Sequence, residues 1–318
     1  MKLSETTQRY ALGLARPRSS SPAPADRQAQ ALMAKLLSMG AAGWPERMTL
    51  RTGDLPAGCV PCLKGRASSV SLTTLCNRDC AFCFNPLPRL DDLSVHGRAA
   101  RSNVEAGRIL ASLAPASVGI SGGEPLLRPE KTLRLVREVR RRLPRAWIDL
   151  YTNGDLLTRD LLGRLKASGV GSLRVNLAAS GYATRPVDLA LPYFPDLAVE
   201  IPALPGHEAR LRTLMTRLER LGARHLILHE LFCSGQNAER LRKAGLLRSA
   251  PPPPLSGLTW SGSRESAATC LRLLGWALER RLSLGVYFCS TGTQSWIAEK
   301  ALRSRQGGRP CRKRTARD

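Results

Sequence analysis

Residues 69–83 read Ser-Val-Ser-Leu-Thr-Thr-Leu-Cys-Asn-Arg-Asp-Cys-Ala-Phe-Cys, an apolar run followed at once by three cysteines. The first seven residues are typical of a buried β-strand. Cys76, Cys80 and Cys83 then follow at a four-then-three spacing. Three soft thiolates in one short loop can bind three irons of a four-iron cluster and leave the fourth iron open for chemistry. A zinc site and three unrelated buried cysteines are the alternative interpretations.

A strand–helix alternation runs from this stretch onward. Strand-like runs lie at Ser69–Leu75, Ser117–Ser121, Ala146–Tyr151, Ser172–Leu177, Leu197–Ile201 and His225–Glu230. Amphipathic, helix-like runs lie at Arg101–Ala114, Thr132–Arg142, Leu156–Ser168 and His207–Leu221. Six such units predict an α/β fold with a parallel sheet of six strands. Composition alone does not separate an open barrel from a doubly wound sheet.

The cysteine spacing is a Cys-x3-Cys-x-aromatic-Cys motif, and two further sequence pieces accompany it. These are Gly122-Gly123-Glu124-Pro125, after the second strand-like run, and Tyr151-Thr152-Asn153-Gly154, at the end of the third. Together they resemble the signature of the radical S-adenosylmethionine (radical SAM) superfamily. The resemblance covers about residues 66 to 232. Within the superfamily it is similar to the activating-enzyme-like branch, the group around the pyruvate formate-lyase activating enzyme.

The resemblance implies an enzyme with an open, partial (β/α)6 TIM-like barrel. Its cofactors would be a 4Fe-4S cluster on the three cysteines and S-adenosylmethionine, cleaved reductively to a 5′-deoxyadenosyl radical that abstracts hydrogen from a substrate C–H bond. The expected partners are an electron donor such as flavodoxin or ferredoxin and a protein, peptide or small-molecule substrate. A non-catalytic iron–sulfur or zinc scaffold and an RNA-modifying radical SAM enzyme are the alternatives.

The resemblance also implies which residues would contact S-adenosylmethionine. They lie in the motif or at strand ends: Phe82, Gly122, Gly123, Glu124, Asn153, Asn176 and His229. Glu124 would accept hydrogen bonds from the amino group of the methionine moiety, and Phe82 would lie near the adenine. Each residue also has a structural alternative. Phe82 suits a core, Glu124 suits an ordinary turn, and a lone histidine such as His229 often has a purely structural role.

The domain boundaries follow from composition and from the resemblance. Residues 1–65 are expected to be an N-terminal extension with a flexible start, a helix over Arg27–Met39 and a Cys-x2-Cys knuckle. Residues 66–235 would be the radical SAM partial barrel, and residues 236–302 a C-terminal extension covering it, with a helix at Ser266–Arg280 and a strand-like run at Leu284–Phe288. Residues 303–318 carry seven basic side chains and are expected to be disordered.

Three further cysteines predict a second metal site. Cys59 and Cys62 lie in a Cys-x2-Cys turn with proline and glycine, which suits metal binding. Cys289 follows a strand-like run and is the predicted third ligand, while Cys311 lies in the tail. A second iron–sulfur cluster or a zinc ion would fit these thiols. A redox-active pair or simple structural cysteines are the alternatives.

The composition limits the class of protein. No run of about 18 apolar residues occurs, so no membrane span is expected, and the N-terminus has no secretory pattern. A cytoplasmic location is therefore expected, in which nine cysteines indicate metal ligation rather than disulfides. The formal net charge of +24 suits a nucleic acid or another polyanion. However, only 8 of the 49 basic residues are lysine, and a GC-rich coding sequence also gives such arginine-rich usage.

Overall fold

The computed structural model describes residues 24–306 of the chain. The strands are β1 (Ala42–Trp44), β2 (Thr49–Arg51), β3 (Ala67–Thr73), β4 (Ser94–Val95), β5 (Arg98–Ala99), β6 (Ser117–Gly122), β7 (Trp147–Thr152), β8 (Ser172–Val175), β9 (Ala198–Pro202), β10 (His225–His229), β11 (Phe232–Cys233), β12 (Ser261–Gly262) and β13 (Gly285–Cys289). The helices are α1 (Pro24–Ser38), α2 (Cys59–Leu63), α3 (Asn103–Leu113), α4 (Pro129–Arg142), α5 (Arg159–Ser168), α6 (Arg185–Ala190), α7 (Glu208–Arg220), α8 (Ala238–Lys243), α9 (Arg264–Glu279) and α10 (Thr291–Gln306). The residues expected to form a flexible start, Cys311 and most of the basic tail lie outside the described residues.

The fold is α/β, with seven parallel strands in the order β13-β10-β9-β8-β7-β6-β3 within the described residues. Strands β4 and β5 extend the β3 edge antiparallel, and β2 and β1 extend the β13 edge. In this part of the chain the outermost strands, β1 and β5, do not pair with each other, so the sheet does not close. The expected open, partial barrel is confirmed.

Strand β13 corrects the prediction of a six-stranded sheet. It pairs in parallel with β10 along all five residues, from Gly285 opposite His225 to Cys289 opposite His229. The sequence placed this run in an extension outside the sheet, because 55 residues and the break at Pro251–Pro254 separate it from β10. All five residues of β13 are buried, which is typical of a strand covered on both faces.

The Cys-x2-Cys segment is also different from the prediction. It forms the short helix α2 rather than a knuckle-like turn. Gly58 enters this helix with φ −71° and ψ −21°, which is already right-handed helical geometry. Pro61 fits here because the first turn of a helix has backbone N–H groups without helical partners, so a missing N–H costs little.

The two faces of the sheet have different chemistry. Outward-facing strand residues such as Ile148, Leu173 and Val199 join the main hydrophobic core. Alternate residues face the barrel interior, where a small cluster contains Ala198, Ile227, Tyr287 and Cys289, with Leu55 and Cys59 packed against it. Because successive side chains of a strand point to opposite faces, the charged Asp149, Arg174 and Glu200 also lie on the inner face. The barrel interior is therefore polar, although it is largely buried.

The parallel strands bring the predicted site to one edge. The cysteine loop follows β3, Glu124 follows β6, Asn153 follows β7, Asn176 follows β8, and His229 ends β10. The carboxyl ends of parallel strands meet at the same edge of a sheet, where α/β proteins place their binding sites. No helix in the described part of the chain is long and apolar enough to span a membrane.

Candidate functional site

The cysteine loop at the end of β3 presents three sulfur atoms. Cys76, Cys80 and Cys83 are free thiols and are half-buried. Burial, and after it the nearby Cys83 and Cys76, raises the pKa of the Cys80 thiol to about 11. A protonated thiol binds a metal ion by releasing its proton. An all-sulfur donor set suits iron–sulfur clusters or zinc.

The arrangement of the three thiols does not itself identify the metal. In the part of the chain that the structure describes, no group of three or more His, Cys, Asp and Glu side chains is placed to hold a metal ion. A four-iron cluster distributes its cysteine ligands over separate irons. The cluster role of Cys76, Cys80 and Cys83 stays a prediction that fits the donor chemistry of the loop.

One side of the loop is fixed to the end of β7. The Arg78 guanidinium donates to both carboxylate oxygens of Asp155, at 2.6 and 2.7 Å. Asn77 donates to the same carboxylate at 2.8 Å and accepts from the Asn153 amide at 2.7 Å. The hydrogen bond from Arg78 is the main reason why the pKa of Asp155 is lowered. Asp155 was missed by sequence reasoning, although it follows the predicted Asn153-Gly154 directly.

Gly122 and Gly123 bring the end of β6 against the segment that leads into Cys76. The Gly123 N–H donates to Thr73 O at 2.7 Å, and the Glu124 N–H donates to Leu75 O at 2.8 Å. A Cβ on Gly123 would lie 2.0 Å from Leu75 O, and one on Gly122 would lie 2.1 Å from Thr73 O. Gly122 also has φ +126°, which disfavours a side chain. The two glycines are therefore required for backbone packing beside the cysteine loop.

Glu124 is fully buried, and its carboxylate already has protein partners. One oxygen accepts from Leu126 N at 3.0 Å and Thr152 Oγ1 at 2.9 Å, and the other accepts from Asn153 N at 2.7 Å. Burial raises the pKa of Glu124 despite these hydrogen bonds. A carboxylate offers about four lone-pair sites, so roughly one stays open for a further donor. Glu124 thus links β6 to β7 and has about one acceptor site left for an ammonium group.

Three of the other predicted contact residues also have structural partners. Asn153 lies next to the loop, with its amide nitrogen 3.9 Å from Cys76 Sγ. The side chain of Asn176 caps the turn after β8 by accepting from Ala178 N at 3.1 Å. Phe82 packs against a small core that includes Leu204 and Leu231. The structure therefore brings Phe82, Glu124 and Asn153 around the cysteine loop.

His229 belongs to a different network, inside the barrel. Its Nε2 lies 2.8 Å from Glu200 Oε1, and its Nδ1 lies 3.2 Å from Cys289 O and 3.0 Å from the Gln294 amide. Burial opposes the charged ring, but the hydrogen bonds to Cys289 and Glu200 outweigh it and raise the pKa of His229 to about 10. The ring also lies 5.5 Å from that of Phe232. The structural alternative for this histidine thus has direct support.

The three cysteines of the predicted second site converge in the barrel interior. Cys59 and Cys62 come from α2, and Cys289 ends β13. Burial is the main cause that raises the pKa of Cys59 to about 12 and that of Cys62 well above its ordinary value, and each thiol is raised further by Cys289. Arg174 Nη1 lies 3.6 Å from Cys59 Sγ. The buried Tyr287 hydroxyl lies beside Cys289, among the same cysteines.

Arg174 pairs with the buried carboxylates of this interior. Its guanidinium lies 3.2 and 3.3 Å from the two oxygens of Asp149 and 3.7 Å from Glu200. Arg174 and Asp149 are almost fully buried. A buried charge requires a partner because its desolvation is costly. Two carboxylates, Asp149 and Glu200, therefore face two cations, Arg174 and His229.

Comparison with known proteins finds similarity to one superfamily. Residues 70–186 match the family model described as the Radical SAM superfamily. A protein of Methanocaldococcus jannaschii, named as a candidate glycyl-radical enzyme activating enzyme, is 26% identical over 230 residues. The matched region is 69% of this chain and 60% of that relative, so this chain spans less than two thirds of the relative's length.

Solved structures with bound S-adenosylmethionine are also similar to this chain. Streptococcus suis SuiB with S-adenosylmethionine matches at 15% identity and a TM-score of 0.49, covering 69% of this chain and 49% of SuiB. BtrN in complex with AdoMet and 2-DOIA matches at 26% identity and a TM-score of 0.28, covering 34% of this chain and 44% of BtrN.

The family match contains the cysteine loop and the strand ends beside it. Residues 70–186 include the cysteine loop after β3, the Gly122-Gly123-Glu124 end of β6 and the Asn153 end of β7. The predicted superfamily is therefore confirmed. The family match and the relative support the radical SAM superfamily and its activating-enzyme-like branch for this chain.

Proposed function

We propose that this chain is a radical SAM enzyme in which Cys76, Cys80 and Cys83 hold a 4Fe-4S cluster. When bound, such a cluster supplies one electron that cleaves S-adenosylmethionine to methionine and a 5′-deoxyadenosyl radical, which then abstracts hydrogen from a substrate C–H bond. The observation that carries the proposal is the placement of three free thiols on one loop, beside Glu124 and Asn153, at the carboxyl edge of the sheet.

The residues around the loop would bind and orient the cofactor. Glu124 would use its remaining lone pair to accept a hydrogen bond from the methionine ammonium group, while its other partners fix its position. The glycines Gly122 and Gly123 let the two strand ends lie close together. Phe82 would offer an apolar surface to the adenine. Asn153 would orient the loop through Asn77. Asn176 and His229 would contact the cofactor in addition to the protein groups that they already engage.

The substrate we favour is a protein or a peptide. The Methanocaldococcus jannaschii relative is named for activating a glycyl-radical enzyme, which is a protein substrate. The segment after Cys83 also exposes large apolar side chains, with Phe84 40% exposed, Leu87 53% and Leu90 55%. Exposed apolar residues beside a site favour contact with another polypeptide. An electron donor such as flavodoxin or ferredoxin would also be needed, whereas a small-molecule or RNA substrate has no specific contact in its favour.

A second metal centre on Cys59, Cys62 and Cys289 is part of the proposal. Its support is the convergence of these buried thiols beside the Tyr287 hydroxyl. Iron and zinc would be measured in Cys59→Ala and Cys62→Ala variants, with Cys233→Ala as a control from a separate apolar cluster. We expect the two variants to lose metal while the control does not. Unchanged metal content would leave a redox pair or structural thiols as the better account.

The experiment that tests the main proposal is an anaerobic cleavage assay. Protein reconstituted with iron and sulfide would be mixed with dithionite and S-adenosylmethionine, and the formation of 5′-deoxyadenosine would be measured. We expect product from the wild-type chain and none from Cys76→Ala. Normal iron loading without any product would favour the non-catalytic iron–sulfur scaffold.

A further inference from the structure

The segment after β11 contacts the cysteine loop through a buried asparagine. Asn237 is fully buried. Its Nδ2 donates to Phe82 O at 3.1 Å and to Phe232 O at 2.9 Å, while its Oδ1 accepts from Ser234 N at 2.9 Å. One amide group therefore connects the backbone beside Cys83 to β11, a strand outside the main sheet. Each polar atom of this amide has a partner, as a buried amide requires.

An arginine of α8 makes the second contact. Arg240 Nη2 lies 2.9 Å from Cys80 O, 3.1 Å from Asp79 O and 2.7 Å from Asp79 Oδ1. From the other side, Arg89 lies 2.5 Å from Arg78 O through Nη1 and 2.8 Å from Asp79 Oδ1 through Nη2. Three consecutive carbonyl groups of the loop thus face guanidinium groups, and Asp79 joins the two arginines.

These contacts determine where the loop's N–H groups point. A trans peptide directs its N–H opposite to its C=O. The carbonyls of Asp79 and Cys80 face Arg240, so the following N–H groups, those of Cys80 and Ala81, point away from it. Hydrogen bonds to the sulfur atoms are among the factors that set the reduction potential of an iron–sulfur cluster. The orientation of this loop therefore matters for its redox properties as well as for its shape.

We propose that Asn237 and Arg240 are positioning residues that hold the cysteine loop in the conformation that accepts the cluster. The proposal rests on the proposed function, because it requires a cluster on Cys76, Cys80 and Cys83. Neither residue supplies a ligand. Both act on the loop backbone, in the way that outer partners orient the ligands of other metal sites. Asn237 and Arg240 thus act together as a clamp on the loop.

The test uses the full-length reconstituted protein with Arg240→Met, Arg240→Lys and Asn237→Ala. The control is Lys243→Gln on the same helix, because Lys243 is paired with Glu239 in an exposed ion pair. We expect Arg240→Met and Asn237→Ala to lose iron to a chelator about 10-fold faster than wild type. The midpoint potential and the EPR spectrum of the reduced cluster should shift as well, and Arg240→Lys should restore part of both. Lys243→Gln should behave as wild type.

Two outcomes distinguish failure of the proposed function from failure of the clamp proposal. A wild-type chain that binds no iron would contradict the proposed function itself. A wild-type chain that loads normally, with Arg240→Met and Asn237→Ala matching it in iron release, potential and EPR spectrum, would overturn the clamp. Circular dichroism of each metal-free variant shows whether it folds. Because Asn237→Ala removes a buried amide, Arg240→Met is the decisive variant if Asn237→Ala fails to fold.

Discussion

The Glu124 carboxylate, just after β6, accepts a hydrogen bond at 2.7 Å from the backbone N–H of Asn153, just after β7. The same carboxylate accepts from Thr152 Oγ1 and Leu126 N. It therefore joins two neighbouring strand ends beside the cysteine loop. This glutamate has a structural role in the chain, in addition to its proposed contact with S-adenosylmethionine.

Replacing Glu124 by glutamine should reduce both stability and cofactor binding. The amide nitrogen of glutamine donates rather than accepts, so at least one of the three buried donors would lose its partner. An unsatisfied buried group costs about 1–3 kcal/mol. We expect Glu124→Gln to lower the free energy of unfolding by about that amount, as measured by urea denaturation, and to weaken S-adenosylmethionine binding.

The matched control for this change is Glu130→Gln. Glu130 pairs with Arg164 at an exposed position, where the Glu130 side chain is 55% accessible. An exposed ion pair contributes little to folding stability. The unfolding free energy of Glu130→Gln should therefore match that of wild type within measurement error. Equal effects of Glu124→Gln and Glu130→Gln would contradict the role assigned to the buried carboxylate.

Two glycine-to-alanine changes should alter the free energy of unfolding in opposite directions. In Gly123→Ala the new Cβ would meet Leu75 O at 2.0 Å, and backbone atoms cannot move aside as a flexible side chain can. We expect a loss of about 1–3 kcal/mol and a lower iron content, because Cys76 follows Leu75. Gly163 lies inside α5, where a Cβ would meet its nearest neighbour, a Tyr193 ring atom, at 3.9 Å. Gly163→Ala should stabilise the chain by up to about 1 kcal/mol. Thermal unfolding of both variants checks the contrast, and a stable Gly123→Ala with normal iron would contradict it.

The His229–Glu200 pair predicts a pH dependence. The pKa of His229 is raised from 6.5 to about 10 in the folded chain. Its contribution to stability is therefore complete below about pH 6.5 and is lost as the pH rises through about 10. Breaking a buried pair costs about 3–5 kcal/mol, so His229→Gln should be destabilised by roughly that amount at pH 6.5. The difference from wild type should shrink towards pH 10.

Urea unfolding of both proteins at several pH values measures this difference. Comparing wild type with His229→Gln cancels other groups that titrate in the same range, such as tyrosines and cysteines. A difference that is constant from pH 6.5 to 10 would show that the His229 pKa is not raised by folding.

The cysteine loop predicts a selective loss of iron. Cys76→Ala, Cys80→Ala and Cys83→Ala each remove one of three proposed ligands, so each reconstituted variant should hold much less iron and lose the visible absorbance of the cluster. Cys270→Ala is the control, since Cys270 on α9 is buried in the main hydrophobic core. Iron analysis and absorbance spectra compare the four variants. Equal iron in all of them would place the metal elsewhere.

Most of the fold could be predicted from the sequence because each parallel strand is a short apolar run between amphipathic helices. Strand β13 was assigned wrongly, because the sequence does not show that a strand 55 residues after β10 returns to pair with it. The Cys-x2-Cys segment suited a turn by composition, but it forms α2, where Pro61 lies in the first helical turn.

The site residues that belong to sequence motifs could be predicted. Those that reach the site only through tertiary contacts could not. The cysteine spacing and the Gly-Gly-Glu run located the loop and its neighbour Glu124. In contrast, Asn237 and Arg240 lie about 160 residues from the loop carbonyls that they contact, and no local pattern marks them. The partners of His229 are likewise on separate elements, namely β9, β13 and α10, so its structural role becomes visible only in the folded chain.

The most direct test of the central claim is the formation of 5′-deoxyadenosine from S-adenosylmethionine under anaerobic reducing conditions. The wild-type chain, reconstituted with iron and sulfide, would be compared with Cys80→Ala and with the control Cys270→Ala, each at measured iron content. We predict 5′-deoxyadenosine from the wild type and Cys270→Ala, and none from Cys80→Ala. An iron-loaded wild-type chain that forms no 5′-deoxyadenosine, or a Cys80→Ala variant that forms as much as wild type, would contradict the claim.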